Sequence, residues 1–261
     1  MPLWVYNSGM VIVKNSEQLK RMRDAGKITG EALAYVHGLI REGVSTKYLD
    51  KSLRTFFEKH GAKPSFLGLY GFPASACISV NEEVIHGIPS EDKILLEGDI
   101  VSIDVGAYYR GYHGDSARTF AVGSVSEEAN RLITVTRQSL FDGLQFAMAG
   151  NRIGDIGNAV EKCVKSAGFS VVRNYVGHGI GQALHEDPEV PNFGTAGRGV
   201  RLYPGMTIAI EPMVNAGGHE VRVLADGWTV VTADGSLSAH YENTVAITEN
   251  GAENLTDVGD G

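Results

Sequence analysis

Two helices followed by a series of short strands are written twice along this chain, and few folds accommodate that order. From 15 to 40 the apolar residues Leu19, Met22, Ile28, Leu33, Val36 and Ile40 recur at roughly helical spacing, and Asn15 or Ser16 can cap the start. A second helix is expected from Thr46 to His60, with Leu49, Leu53, Phe56 and Phe57 inward and Gly61 closing it. Strand-like runs follow at 76-ACISV-80, 100-IVSIDV-105 and 117-ARTFAV-122. The order then restarts, with a helix capped by Ser126 and ending near Gly150 and another from about Ile153 to Ala167. Further strands are expected from 170-SVVRNYV-176 and at 206-MTIAIE-211, 220-EVRVL-224, 228-WTVVTA-233 and 240-HYENTVAIT-248. The closing 249-ENGAENLTDVGDG-261 is polar and glycine-containing and reads as a frayed end.

No direct repeat of residues accompanies the repeated order, but the order itself implies an α+β unit whose halves, about 11–125 and 126–250, share a sheet with helices outside it. No low-complexity linker separates them, so 11–261 reads as one domain and 1–10 as a short N-terminal extension. A chain of 261 residues can bury a substantial core.

The net charge of −8 argues against a general nucleic-acid or anionic-membrane binder, either of which profits from clustered Lys and Arg. It leaves room for bound cations. Cys77 and Cys163 form neither a CxxC pair nor a disulfide framework, which suits a reducing compartment and excludes a cysteine-based zinc finger. No basic segment followed by a long apolar run opens the chain, so a soluble cytoplasmic protein is expected.

Several of the strands carry an acid where an apolar residue is expected. The segment 103-IDVGAYYRGYHGDSA-117 reads as a hairpin turning at Arg110 and Gly111. A two-residue turn sets Asp104 opposite Ala117 and Asp115 opposite Gly106, which puts both carboxylates on one face as diagonal neighbours. One ion can then bridge them. Taken singly, an aspartate is more often a turn or surface residue, but Asp104 follows Ile100, Val101 and Ile103 in a run that otherwise reads as buried. A carboxylate there must be paired, hydrogen-bonded or metal-bound. Glu211, ending 208-IAI-210, and Glu242, inside 241-YENTVAI-247, repeat the anomaly. His178, in 177-GHGIGQALHEDP-188, lies among glycines that let backbone approach a cluster closely. Four carboxylates and one imidazole make an oxygen-rich set suited to Mn²⁺, Fe²⁺, Co²⁺ or Zn²⁺ in pairs, and four negative charges balance two divalent ions.

In order along the chain these residues resemble the Asp, Asp, His, Glu, Glu pattern of the pita-bread metallopeptidases. Within that group, 84-VIHGIP-89, 101-VSIDVGAYYRGYHGD-115, 177-GHGIG-181, 205-GMTIAIEPMVN-215 and 239-AHYENT-244 resemble the type I methionine aminopeptidases, over nearly the whole chain from about Val11 to Thr248. The resemblance implies the creatinase/aminopeptidase fold, with two pseudo-symmetric halves, a curved central antiparallel sheet and helices on its outer face. It implies a dinuclear centre in which Asp104 holds one ion, His178 and Glu211 hold the other, and Asp115 and Glu242 bridge both. It implies removal of the initiator methionine ahead of a small second residue, by metal-activated hydroxide attack on the peptide carbonyl. His185 then matches the histidine at the scissile carbonyl and its tetrahedral intermediate, His86 the one near the following amide nitrogen, and Glu211 adds proton shuttling to ligation. By motif position Phe66, Leu69, Phe72, Cys77, Leu184 and Trp228 approach the methionine side chain, with Leu69 and Leu184 standing where relatives often carry aromatics. Asn81, Glu83 and Ser238 match positions that bind a monovalent cation in some relatives, and His113 reads as structural. The implied partners are nascent polypeptide N-termini near the ribosome after deformylation, with no specific nucleic acid and no membrane, for a monomeric protein.

Three other readings compete. Proline-specific peptidases of the same fold usually carry a separate N-terminal domain, for which the first ligand at residue 104 leaves no room. Type II methionine enzymes carry an insertion where this chain has only the short interval from His178 to Glu211. Non-enzymatic binding relatives have lost metal ligands, whereas all five positions are filled here.

Overall fold

The computed structural model describes residues 11–257; the expectation for residues 1–10 lies outside the described residues. Helix α1 (Ser16–His37) starts where Asn15 accepts the Gln18 N–H and the Gln18 side chain accepts the Asn15 N–H, a reciprocal cap. Helix α2 (Thr46–Lys59) is capped by Ser45 and helix α3 (Glu127–Leu144) by Ser126, with Glu127 and Glu128 set against the positive end of the α3 dipole. Helix α4 runs Ile153–Ser166. Among the described residues no helix is long and apolar enough to cross a membrane.

Helix α3 stops at Leu144, short of the expected Gly150. Beyond it the backbone turns to tertiary partners: Ala149 N–H bonds to Thr248, and Gly150 N–H to Leu202 at a left-handed φ of +94°. Of 170–176 only Ser170–Val171 form strand. Val172 N–H still bonds to Met213, and the chain then leaves this small sheet so that Gly177–Gly179 can enter the main one.

Among the described residues that main sheet has nine strands, all pairing antiparallel, and both halves contribute to it. Its central path runs from Ile100–Tyr109 to Tyr112–Ala121, then Glu242–Thr248, Thr207–Ile210, Gly177–Gly179 and Glu186–Val190. On the first half Ile28, Leu33, Leu49, Leu53 and Phe57 of α1 and α2 pack with Ile78 and Ile103 of the strands. On the second, Leu140, Ile153 and Ile156 pack with Ile208, Ile210 and Val245. These two clusters bury side chains that alternate with the acids along the same strands.

Up to residue 257 the closing segment corrects the expectation of a frayed end; residues 258–261 lie outside the described residues. Gly251–Asn254 pair with Glu242–Thr248, and Leu255 and Thr256 are buried. Thr256 Oγ1 accepts from Asn243 Nδ2 at 2.7 Å and from Thr244 N at 3.2 Å. The polar residues that looked solvated instead satisfy buried groups beside Glu242. Leu255 also lies against Gly26 of α1, so closely that any side chain at Gly26 would strike the Leu255 carbonyl.

Candidate metal centre and its cavity

The hairpin has the register that its sequence implies. Arg110 (φ +49°) and Gly111 (φ +86°) form the turn, Asp104 pairs with Ala117 and Gly106 with Asp115. Ala117 also pairs with Glu242 on its other side. Asp104, Ala117 and Glu242 therefore form one row across three strands, and Asp115 joins them on the same face by strand alternation. The small Ala117 leaves the middle of that row open.

His178 enters from Gly177–Gly179, which pairs on one side with Glu186–Val190 and on the other with Ile208. The register shifts between His178 and Gly179, a bulge of the kind that re-aims a side chain. A side chain at Gly179 would strike the Asp187 carbonyl, so only glycine allows the two strands to lie this close. Glu211 follows directly on Thr207–Ile210 and has its own carbonyl held by Asn192 Nδ2 at 2.9 Å.

Asp115, His178 and Glu242 offer ligand atoms all within 4.8 Å of one another. His178 Nε2 lies 3.8 Å from Asp115 Oδ2 and 3.6 Å from Glu211 Oε1. Its Nδ1 lies 2.8 Å from the Gly179 carbonyl, which can only accept, so Nδ1 carries the proton and Nε2 presents a lone pair to the carboxylates. Lone pair thus faces lone pair. Oδ1 of Asp104, Oδ1 of Asp115 and Oε1 of Glu242 are buried without a hydrogen-bond partner.

Burial raises the Asp104 carboxyl to about 8, although Asp115 beside it pulls the other way. Burial, reinforced by the neighbouring acids, drives Asp115, Glu211 and Glu242 well above the usual carboxylate range. It lowers His178 to about 4. A divalent cation supplies what this arrangement lacks: positive charge and an electron-pair acceptor for oxygen and imidazole donors. The residues fit such a group.

All five of these residues line one cavity with Phe66, Leu69, Phe72, Cys77, Leu184, Trp228, His86 and His185, so every residue singled out for the metal and methionine sites meets there. Phe72 and Trp228 meet edge to face at 5.2 Å. Cys77 pairs with Asp104 across strands, and burial together with the nearby acids raises its thiol well above the ordinary range. It is a neutral wall residue, not a thiolate nucleophile.

His86 adopts a left-handed φ of +58°. Gly87 behind it donates to Ser79 Oγ and accepts from Ile78 N, with no room for a side chain against the Ile78 backbone. The ring meets Tyr175 edge-on at 5.8 Å, and burial lowers it to about 4. The His185 ring lies 4.5 Å from that of His178, and burial lowers it to about 2. Beneath the turn that carries Leu184 and His185, Lys14 Nζ meets Glu186 Oε2 at 2.6 Å, both side chains buried, while Glu186 Oε1 accepts from Ala183 N.

Sequence reasoning missed Tyr70, which lines the cavity and stacks near His185 at 6.1 Å, and a second cavity sharing His86, His178, His185 and Glu211 and bounded by Ile85, Asn174, Tyr175, Val176 and Glu189. His240 was also missed, although its place two residues before Glu242 was a usable signal; its Nε2 lies 3.9 Å from Glu211 Oε2. His113 stands outside the cavity, with Nδ1 on Ser65 Oγ at 2.9 Å. Asn81, Glu83 and Ser238 meet at one seam. There the Asn81 carbonyl accepts from Ser238 N, and the Glu83 carboxylate is engaged by Val80 N and by the Lys93 ammonium.

Acids and an imidazole gathered from a curled antiparallel sheet beside an apolar pocket define a metal-dependent hydrolase. The chain belongs to metallopeptidase family M24, whose sequence model matches residues 20–249. It is 58% identical over 247 residues to a methionine aminopeptidase of Clostridium perfringens, covering 95% of this chain and 99% of that one. It is 51% identical over 249 residues to methionine aminopeptidase 1 of Bacillus subtilis, covering 95% and 100%. The crystal structure of methionine aminopeptidase from Thermotoga maritima superposes with a TM-score of 0.94 at 47% identity, over 95% of this chain and 100% of that one. The resemblance carried by the five motifs and the pita-bread fold it implied are both borne out.

Proposed function

We propose that this chain removes the N-terminal methionine of nascent polypeptides when the next residue is small, with 11–261 acting as a single catalytic domain. One observation carries the reading: a single cavity joins the buried acid and imidazole cluster to an apolar end built from Phe72, Cys77, Leu184 and Trp228. The names and near full-length similarity of the relatives support it.

Asp104, Asp115, His178, Glu211 and Glu242 would hold two divalent ions, drawn from Co, Mn, Fe or Zn. Bound there, the ions would supply Lewis acidity toward a carbonyl oxygen and toward water near neutral pH. The protein's own groups do the rest. Phe72 and Trp228 take the methionine thioether against their rings. His185 and His86 are neutral at pH 7, so each can give a hydrogen bond, His185 to the developing oxyanion and His86 near the amide nitrogen. Glu211 accepts the proton released by water and passes it to the leaving amine.

A large side chain after methionine would press on His86 and shift the carbonyl, and a shift of about 1 Å can cost roughly 100-fold in rate. The proposed setting is cytoplasmic, near the ribosome after deformylation, with the protein acting as a monomer. The test compares kcat/KM for peptides beginning Met-Ala, Met-Leu, Leu-Ala and Xaa-Pro. Met-Ala is expected to lead; equal cleavage of all four would mark a general aminopeptidase, and preference for Xaa-Pro would transfer the chain to the proline-specific group.

A further inference from the structure

Glu211 stands between two buried histidines that differ in what they can offer. Nε2 of His178, 3.6 Å from Oε1, presents a lone pair because its Nδ1 proton is given to the Gly179 carbonyl. On the other side, Nε2 of His240 lies 3.9 Å from Oε2, is buried, and has no hydrogen-bond partner. The His240 ring is brought there by strand pairing: Ser238–His240 runs antiparallel to Met213–Asn215 and sets His240 opposite Met213, two residues beyond Glu211.

We propose that His240 is a positioning residue for Glu211, its Nε2–H donating to Oε2 and so leaving Oε1 to face His178 and the cation site.

A buried ring nitrogen left without a partner costs about 1–3 kcal/mol. A movement of roughly 1 Å would bring the present 3.9 Å separation to ordinary hydrogen-bond length. A carboxylate with both oxygens free can rotate between two ways of meeting a cation; one oxygen held by a donor can meet it in only one. Partners of this kind alter metal affinity by about 10- to 100-fold. The main chain at His240 is secured separately, since Thr119 Oγ1 donates to its carbonyl at 3.0 Å and accepts its N–H at 2.8 Å. The side chain can therefore be exchanged with the strand still anchored.

The inference rests on the reading of Glu211 as part of the metal centre, and the experiment separates the two. Mn²⁺ affinity is measured calorimetrically on chelator-treated wild type, His240→Leu, His240→Gln and Glu211→Gln, with thermal unfolding to check each fold. The ring tautomer of His240 is read by nitrogen NMR on the wild type. His240→Leu is expected to lose about 10- to 100-fold in Mn²⁺ affinity, to lower kcat on a Met-Ala peptide more than it raises KM, and to be largely rescued in His240→Gln, which keeps an N–H donor. Wild-type affinity in a folded His240→Leu overturns the proposal, as does a proton found on Nδ1 instead of Nε2. The tautomer remains decisive if His240→Leu does not fold. Wild-type affinity in Glu211→Gln overturns both this proposal and the assignment of the centre.

Discussion

The two halves of the molecule deliver their acids to the same place by different means. In the first, Asp104 and Asp115 lie on one hairpin whose ten cross-strand pairs run without a break from Ile100 and Ala121 to Tyr109 and Tyr112. In the second, His178, Glu211 and Glu242 come from separate strand segments, joined through pairings of distant residues and passing through a bulge. A hairpin fixes the spacing of two carboxylates by itself, whereas the convergence of the other three groups depends on the whole sheet having closed. The site is rigid on one side for local reasons and on the other for global ones.

Removing the metal breaks the comparison most severely, because the cation is what reconciles the acids of the two halves. Burial raises the carboxyls above their unfolded values, so these acids hold more protons in the folded metal-free protein than in the unfolded chain. Their contribution to stability is present below the unfolded carboxyl range and is lost as pH rises through the folded values, about 8 for Asp104. Each pKa unit corresponds to about 1.4 kcal/mol, so the gap in Tm between metal-loaded and chelated protein should widen clearly between pH 6 and pH 9. A gap that is constant or narrows would mean that the acids do not carry this strain.

Next in size is Gly179→Ala, which probes the half built from distant pairings. Its methyl group would meet the Asp187 carbonyl in the bulge beside His178. Overpacking of this kind costs about 1–3 kcal/mol, and a displaced His178 should lower metal affinity by at least the roughly 10- to 100-fold seen when a ligand's support is lost. Calorimetry and thermal unfolding on the same sample would show both losses; unaltered affinity would mean that the bulge does not aim His178.

The smallest effect is expected for the same exchange in the hairpin, Gly111→Ala. At φ +86°, with nothing near the added methyl, the cost is only the left-handed conformation, about 1–2 kcal/mol, or roughly 2–8 °C in Tm for a chain of this length. Metal affinity should not change, because ten strand pairs hold the register beyond the turn. A loss comparable to that of Gly179→Ala would erase the distinction between the halves.

The same contrast explains what could be read in advance. The hairpin register, the caps at Asn15 and Ser126 and the strand Ala76–Val80 follow from short-range rules, and they were legible. The pocket residues were legible only through motif resemblance, since nothing in the periodicity of 66-FLGLYGF-72 brings Phe72 to Trp228. Tyr70, Tyr175 and the burial of Leu255 and Thr256 escaped because each depends on a partner far along the chain, and polar residues such as Thr256 look alike in sequence whether they meet water or a buried Asn243.

The ion pair of Lys14 with Glu186 spans 172 residues, and that separation governs when the site can come into being. Contacts so distant form late in folding, because the loop they close must first be ordered. As the chain is synthesised, the hairpin with both aspartates is complete long before Glu186 exists to receive the ammonium and hold the turn of Leu184 and His185. Thr256, which braces Asn243 and Thr244 beside Glu242, comes later still. During synthesis there is therefore a stage at which the chain holds both aspartates but neither the histidine turn nor the closing strand, and the bracing of the residues beside Glu242 waits for nearly the last described residue.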